Sequence, residues 1–153
     1  MRARALRLTL LLFISAIMTT VASFAQTKIH SGGSKFGEVL YTWDGEKLHQ
    51  GSSTFNTVIL MYDGQKIHQG DSKFDPVIGF WDGRYLYQGD SKFDPKICYW
   101  DGRQFHQGDS KFDPVLYLWD GRQVYGGDSK FDPVILTVSG HLPTAVLAAL
   151  LFL

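Results

Sequence analysis

Apolar and polar positions along this chain alternate in short runs separated by the same small turn. Val77-Ile-Gly-Phe-Trp81 is followed by Asp82-Gly83, then Arg84-Tyr-Leu-Tyr-Gln88 and a second glycine, Gly89. Period-2 alternation on both sides of an Asp-Gly predicts two strands joined by a tight hairpin turn. With Asp82-Gly83 as a two-residue turn, both at positive φ, Trp81 faces Arg84, Gly79 faces Leu86 and Val77 faces Gln88. Those side chains form one face, read as core. Ile78, Phe80, Tyr85 and Tyr87 form the other, read as half-buried.

The pattern repeats every 19 residues without slippage. Asp-Gly recurs at 44–45, 63–64, 82–83, 101–102 and 120–121. The aromatic before it recurs as Trp43, Tyr62, Trp81, Trp100 and Trp119. A phenylalanine recurs as Phe36, Phe55, Phe74, Phe93, Phe112 and Phe131. The unit reads roughly V-I-x-x-W-D-G-R-x-L-H/Y-Q-G-D-S-K-F-D-P, and six copies, the first and last incomplete, cover nearly all of 26–140. Repetition at a fixed period is the mark of a repeat architecture. Hairpins are expected at 39–50, 58–69, 77–88, 96–107 and 115–126. Single strands near 28–30 and 134–138 are left to pair with each other and close the sheet into a ring, which would remove its exposed edges. The fold class is therefore all-β, antiparallel hairpins in a flower- or barrel-like array. An open ribbon of hairpins is the alternative.

The linker between hairpins, Gly-Asp-Ser-Lys-Phe-Asp-Pro, has a turn-building use for each residue. Glycine takes positive φ, Asp and Ser fold back onto nearby amides, and proline starts the next strand. The phenylalanines, with Phe74, Phe93, Phe112 and Phe131 in the full copies, read as buried anchors between hairpins. On that reading Phe112→Ala costs ~3 kcal/mol or more. Asp82, Gly83, Asp101 and Gly102 read as structural turn residues. No helix pattern follows the linker serine, so the nucleophile-elbow reading is set aside. A calcium loop built on Asp71 and Asp75 is weakened by Lys73 between them.

Chemistry is sparse elsewhere. His30, His49, His68 and His106 share a slot with Tyr87 and Tyr125. Equivalent side chains of adjacent hairpins lie about 10 Å apart, too far to share a zinc ion at ~2 Å bonds. A steric and hydrogen-bonding role common to histidine and tyrosine is expected instead. Cys98 shares a slot with Tyr41, Leu60, Gly79, Tyr117 and Leu136 and reads as an interchangeable filler. No catalytic residue, metal ligand or cofactor is assigned. Candidate ligand-binding residues are Trp43, Trp81, Trp100, Trp119, His68 and His106, as repeated carbohydrate sites. That reading requires exposed Trp81 and Trp100 and ends if they are buried.

The two ends of the chain differ from the repeats. Arg2, Arg4 and Arg7, an apolar run at 8–18 and Ser23-Phe24-Ala25 read as a signal peptide over 1–25, which implies export to the periplasm, cell surface or medium. Without it, 12 basic face 15 acidic residues, a net charge of −3. No basic surplus exists to hold phosphates, so nucleic acid is not an expected partner. At the other end, 141–153 is apolar on every side and rich in helix formers, with Pro143 placed to start a helix. At ~18 Å a helix over 142–153 is short of the ~30 Å hydrocarbon core. A plug on or in the apolar face is preferred, with Ala145, Ala148 and Ala149 allowing close approach. A membrane or oligomer contact through the tail is the alternative.

The W-D-G turn, the Q-G-D-S-x-F linker and the apolar tail after S-G-H-L-P-T resemble a bacterial family called the 4-fold beta flower protein. The resemblance covers about 27–153 and implies repeated hairpins about an axis. It implies no catalytic residues. An exported, non-enzymatic structural or interaction module is the expected function, with a glycan or an envelope protein as possible partner. A carbohydrate- or cell-wall-binding module is the alternative.

Overall fold

The computed structural model describes residues 25–153. The signal peptide expected over 1–25 therefore lies outside the described residues, apart from Ala25. Twelve strands form one closed antiparallel barrel. They are β1 (Thr27–Ser31), β2 (Val39–Trp43), β3 (Lys47–Gln50), β4 (Val58–Tyr62), β5 (Lys66–Gln69), β6 (Val77–Trp81), β7 (Tyr85–Gln88), β8 (Lys96–Trp100), β9 (Gln104–Gln107), β10 (Val115–Trp119), β11 (Gln123–Tyr125) and β12 (Val134–Ser139). One helix, α1 (Thr144–Phe152), follows. Each strand pairs with its sequence neighbours, and β1 pairs β12 through Ile29↔Val138 and His30↔Thr137. The two leftover strands thus close the ring as expected, and no edge is left to pair with another chain.

The hairpin register differs from expectation by two residues. Trp81 pairs with Leu86 and Gly79 with Gln88. Asp82 N–H donates to the Tyr85 carbonyl, so Gly83 and Arg84 are the central turn residues. Only the glycine has positive φ, 98° at Gly83, the pattern of a type II′ turn. Asp82 stays outside the turn centre because its carboxylate has a different task. Oδ1 accepts from Arg84 N–H at 2.9 Å and Tyr85 N–H at 2.7 Å. A slip of two residues keeps side chains on their faces, so Trp81 and Leu86 still point into the core.

A β-bulge recurs on the first strand of each unit, where it meets the hairpin before it. Ile67 pairs with Gly79 and His68 with Val77, leaving Ile78 as the extra residue. Equivalent shifts occur against β1, β3, β7, β9 and β11. The bulge turns Ile78, Ile97 and Ile135 toward the core cluster. Simple alternation had placed them on the opposite face.

Inside the barrel, Ile29, Leu48, Ile67, Leu86, Phe105 and Val124 from the second strand of each unit are all 0% exposed. Helix α1 lies among them, with Ala145 to Ala149 buried. Its nine residues span about 14 Å, close to the height of four- or five-residue strands. The apolar tail is thus enclosed by the sheet, and its central residues are unavailable to a membrane or a second copy. Among the described residues, no helix is long and apolar enough to cross a membrane.

The helix runs closest to β7 and β8. On that side the inward slot holds Gly79 and Cys98, whereas Tyr41, Tyr117 and Leu136 hold it elsewhere. A Cβ on Gly79 would sit 2.8 Å from Leu153 Cδ1 and 3.2 Å from Ile67 Cδ1. Cys98 is fully buried, and burial pushes its thiol up to about 12, so it is an inert filler. The fillers of this slot are not interchangeable: their sizes follow the off-centre plug. Gly79→Leu or Cys98→Leu should overpack this side and cost ~1–3 kcal/mol. A thermal melt of each variant checks this, with a lowered Tm expected for both.

Candidate functional site

Antiparallel order around the ring places all W-D-G turns at one end of the barrel, and the linkers leave the strands at the other. Each linker folds as a tight turn with phenylalanine at its corner. The amide of the residue after phenylalanine donates to the carbonyl of the serine two residues before it, at 3.0–3.2 Å in all six copies. Phenylalanine N–H donates to that serine's Oγ at 3.0–3.1 Å. In the full copies the second aspartate closes the loop: Asp75 Oδ2 accepts from Ser72 N–H at 3.0 Å, as do Asp94, Asp113 and Asp132 in their linkers. A Cβ on Gly70, which has φ 124°, would sit 2.4 Å from Asp75 Oδ2. Asp75 and its copies, half of the calcium pairing that Lys73 already weakened, are therefore acceptors for their own backbone.

The rigid turns point their rings outward. Phe36, Phe55, Phe74, Phe93, Phe112 and Phe131 are 86%, 99%, 88%, 90%, 87% and 101% exposed. The expectation of buried anchors is overturned. Hence Phe112→Ala removes no core contact. Lys35, Lys73, Lys92 and Lys111 each hold their ammonium 5.1–5.8 Å from the ring of the next residue. The result is a crown of six exposed phenylalanines carried by the linkers around the barrel. Sequence reasoning named these residues but inverted their placement.

The linkers also cover the barrel's outer wall. Thr42 Oγ1 donates to the Gly51 carbonyl at 2.8 Å, and Thr137 Oγ1 makes the same contact across the closure to Gly32 at 2.6 Å. Gln104 reaches the Asp128 carbonyl and Gln123 the Gly33 carbonyl, each at 3.0 Å, while Lys28 bonds the Ser52 carbonyl. The seam between the chain's two ends thus carries the same contacts as the other junctions.

The repeated histidines lie under these linkers. His49, His68 and His106 each place Nδ1 2.9–3.1 Å from a linker carbonyl and Nε2 2.8–3.0 Å from the turn aspartate Oδ2. Tyr87 and Tyr125 donate their hydroxyls to the equivalent carboxylates, Asp82 and Asp120, at 2.8 and 3.0 Å. Histidine and tyrosine do share one hydrogen-bonding role, tying the turn to the strand that leaves it. His68 and His106 are 3% exposed, held in structure rather than open to a ligand. Among the described residues, no group of three or more His, Cys, Asp or Glu could hold a metal ion.

Of the four tryptophans proposed as sugar platforms, Trp43 and Trp81 are only 4% and 8% exposed, inside the barrel. Their burial removes the repeated carbohydrate site. Trp100 and Trp119 are half-buried and line one groove of about 450 Å³ with Arg103, Asp120 and Lys130. Lys130 Nζ lies 3.3 Å from Asp120 Oδ2.

Burial alone would lower the pKa of His68. The bond to Asp63, the bond to the Asp75 carbonyl and the Asp63 charge outweigh it and hold the pKa above the ordinary value. His106 behaves alike toward Asp101 and Asp113. Burial would raise Asp63 and Asp101, but the histidine and turn-amide bonds hold both below the usual carboxylate range. The histidine contribution to stability is full below pH ~6.5 and lost as pH rises through the raised value. The aspartate contribution is present above pH ~4 and lost as pH falls through the lowered value. Tm should therefore peak in mildly acidic buffer and decline toward pH 8. His68→Tyr with His106→Tyr keeps the bond seen at Tyr87 and should flatten that decline; melts from pH 5 to pH 8 check it.

A family model described as 6-fold beta flower protein matches residues 16–78 and 29–147. The fourfold resemblance read from the sequence is corrected. Four linkers carry the full GDSKFDP, but six units build the ring, the sixth made from the chain's two ends. No curated protein and no solved structure matches the chain.

Proposed function

The chain belongs to the 6-fold beta flower family, and on that footing we propose that it is an exported, non-enzymatic interaction module that works through its phenylalanine crown. The observation that carries this reading is the near-complete exposure of all six phenylalanines on hydrogen-bonded turns. An exposed large apolar side chain costs solvation and contributes nothing to the fold, and a grouped, repeated set of them marks a contact surface. The remaining repeat residues have structural work: tryptophan or leucine inside, histidine or tyrosine clamped to aspartate, glycine and aspartate in turns. The Arg-rich, apolar start of the sequence supports export. Six weak contacts on one rigid frame act together, so affinity comes from number rather than from any single pocket.

Replacing Phe74, Phe93, Phe112 and Phe131 by serine should leave stability within ~0.5 kcal/mol, as for surface changes. It should also abolish retention of the immobilised protein's partners from envelope fractions containing lipid and protein. Equal retention by both forms sinks the crown as the working surface.

A second reading, a single glycan site, rests on the Trp100–Trp119 groove with Arg103 beside it. Stacking of a sugar ring there should change tryptophan fluorescence on titration with soluble cell-wall oligosaccharides. An unchanged spectrum at millimolar sugar removes this reading.

A further inference from the structure

We propose that the groove between the Trp100 and Trp119 turns binds an acidic sugar, its ring stacked on indole and its carboxylate on the Arg103 guanidinium. The inference rests on the reading of this groove as a single glycan site and names the class of sugar. The groove lies between two neighbouring hairpin turns, and at about 450 Å³ it falls in the range of small-ligand sites. Trp119 N–H donates to the Arg103 carbonyl at 2.9 Å, which fixes one turn against the other. Among the described residues no other junction repeats the combination. Glu46 and Gln65 take the arginine slot in the first two, Trp81 is buried in the third, and Val138 takes a tryptophan slot in the rest. Near-identical units thus leave room for one distinct site.

The charges of the lining select the ligand. Asp120 is its one carboxylate, and both oxygens are engaged. Oδ1 accepts from Arg122 and Gln123 N–H at 2.9 and 2.7 Å. Oδ2 accepts from the Tyr125 hydroxyl at 3.0 Å and lies 3.3 Å from Lys130 Nζ. Lys130 is therefore matched to Asp120, while Arg103 is exposed and, among the described residues, has no carboxylate within 4.0 Å. The groove offers a free fork of donors and a side-chain acceptor already in use. Sugar hydroxyls call for acceptors as well as donors, whereas a carboxylate takes donors alone. Guanidinium pairs with carboxylate through two parallel hydrogen bonds, stronger than those of neutral groups. A neutral sugar would have the indoles only; an acidic one adds the charged pair.

Titrating tryptophan fluorescence in low salt with a galacturonic acid trisaccharide, and with the neutral galactose trisaccharide, tests this on the folded chain. The acidic sugar should bind about tenfold more tightly than the neutral one, the worth of one charge-assisted pair. Arg103→Gln, its Tm unchanged, should bring the acidic sugar down to the neutral affinity and leave the neutral sugar as it was. Arg84→Gln, at the junction where Trp81 is buried, should keep the full preference. Equal affinity for the two sugars, or a tighter neutral one, overturns the acidic assignment and leaves the glycan site standing. A preference that survives Arg103→Gln, or that Arg84→Gln removes equally, overturns the role of Arg103 in this groove. No response to either sugar sinks the proposal together with the glycan reading beneath it.

Discussion

A closed sheet of twelve strands encloses more space than side chains alone fill. Eight strands are about the limit for a barrel packed by its own side chains, and an unfilled apolar lumen would forfeit contacts along the whole inner wall. The strands here are short, so the void is wide and shallow, and one nine-residue helix matches its depth. The helix must be apolar on every side because sheet surrounds it, and it is. Pro143 ends the strand register and opens the helix, with its carbonyl accepting from Val146 and Leu147 at 3.0 and 3.1 Å. Thr27 Oγ1 donates to the His141 carbonyl at 2.6 Å, tying the first strand to the segment that carries the chain inward.

This filling breaks the sixfold symmetry of the core. Outside, the repeated contacts recur around the ring and across its seam. Inside, the helix cannot be sixfold, and the inward slot answers with glycine and cysteine on one side and tyrosine on the other. Near-identical repeats are thus compatible with a unique core, because the inward slot varies where it meets the one asymmetric element.

The periodicity made the architecture legible because one unit, read correctly, constrains every other. Hairpin limits, ring closure and the plug all came from spacing, alternation and the composition of the tail. The turn type was misread at Asp82 because Asp-Gly suits two turn classes. What decides between them is the aspartate carboxylate, which accepts both the Arg84 and Tyr85 amides and the Tyr87 hydroxyl. Alternation could not place Ile78 either, since a bulge suspends alternation locally. The phenylalanines failed for a different reason. Burial was inferred from residue type, yet serine and aspartate hold the Lys-Phe pair at the corner of a turn, where no packed surface is within reach.

The distribution of tasks within the unit separates fold from function. The aspartate of W-D-G caps its turn with one oxygen and holds histidine or tyrosine with the other. The linker aspartate closes the loop, and the serine receives the phenylalanine amide. The turn aspartate, the histidine or tyrosine, the linker serine and the second linker aspartate each have an internal partner, and no buried side-chain nitrogen or oxygen among the described residues lacks one. The phenylalanine ring is the one large apolar side chain of the repeat left exposed among the described residues. A fold that buries its tryptophans and satisfies its polar groups has no structural use for six exposed rings, so their position in every copy points outward, to whatever the crown meets.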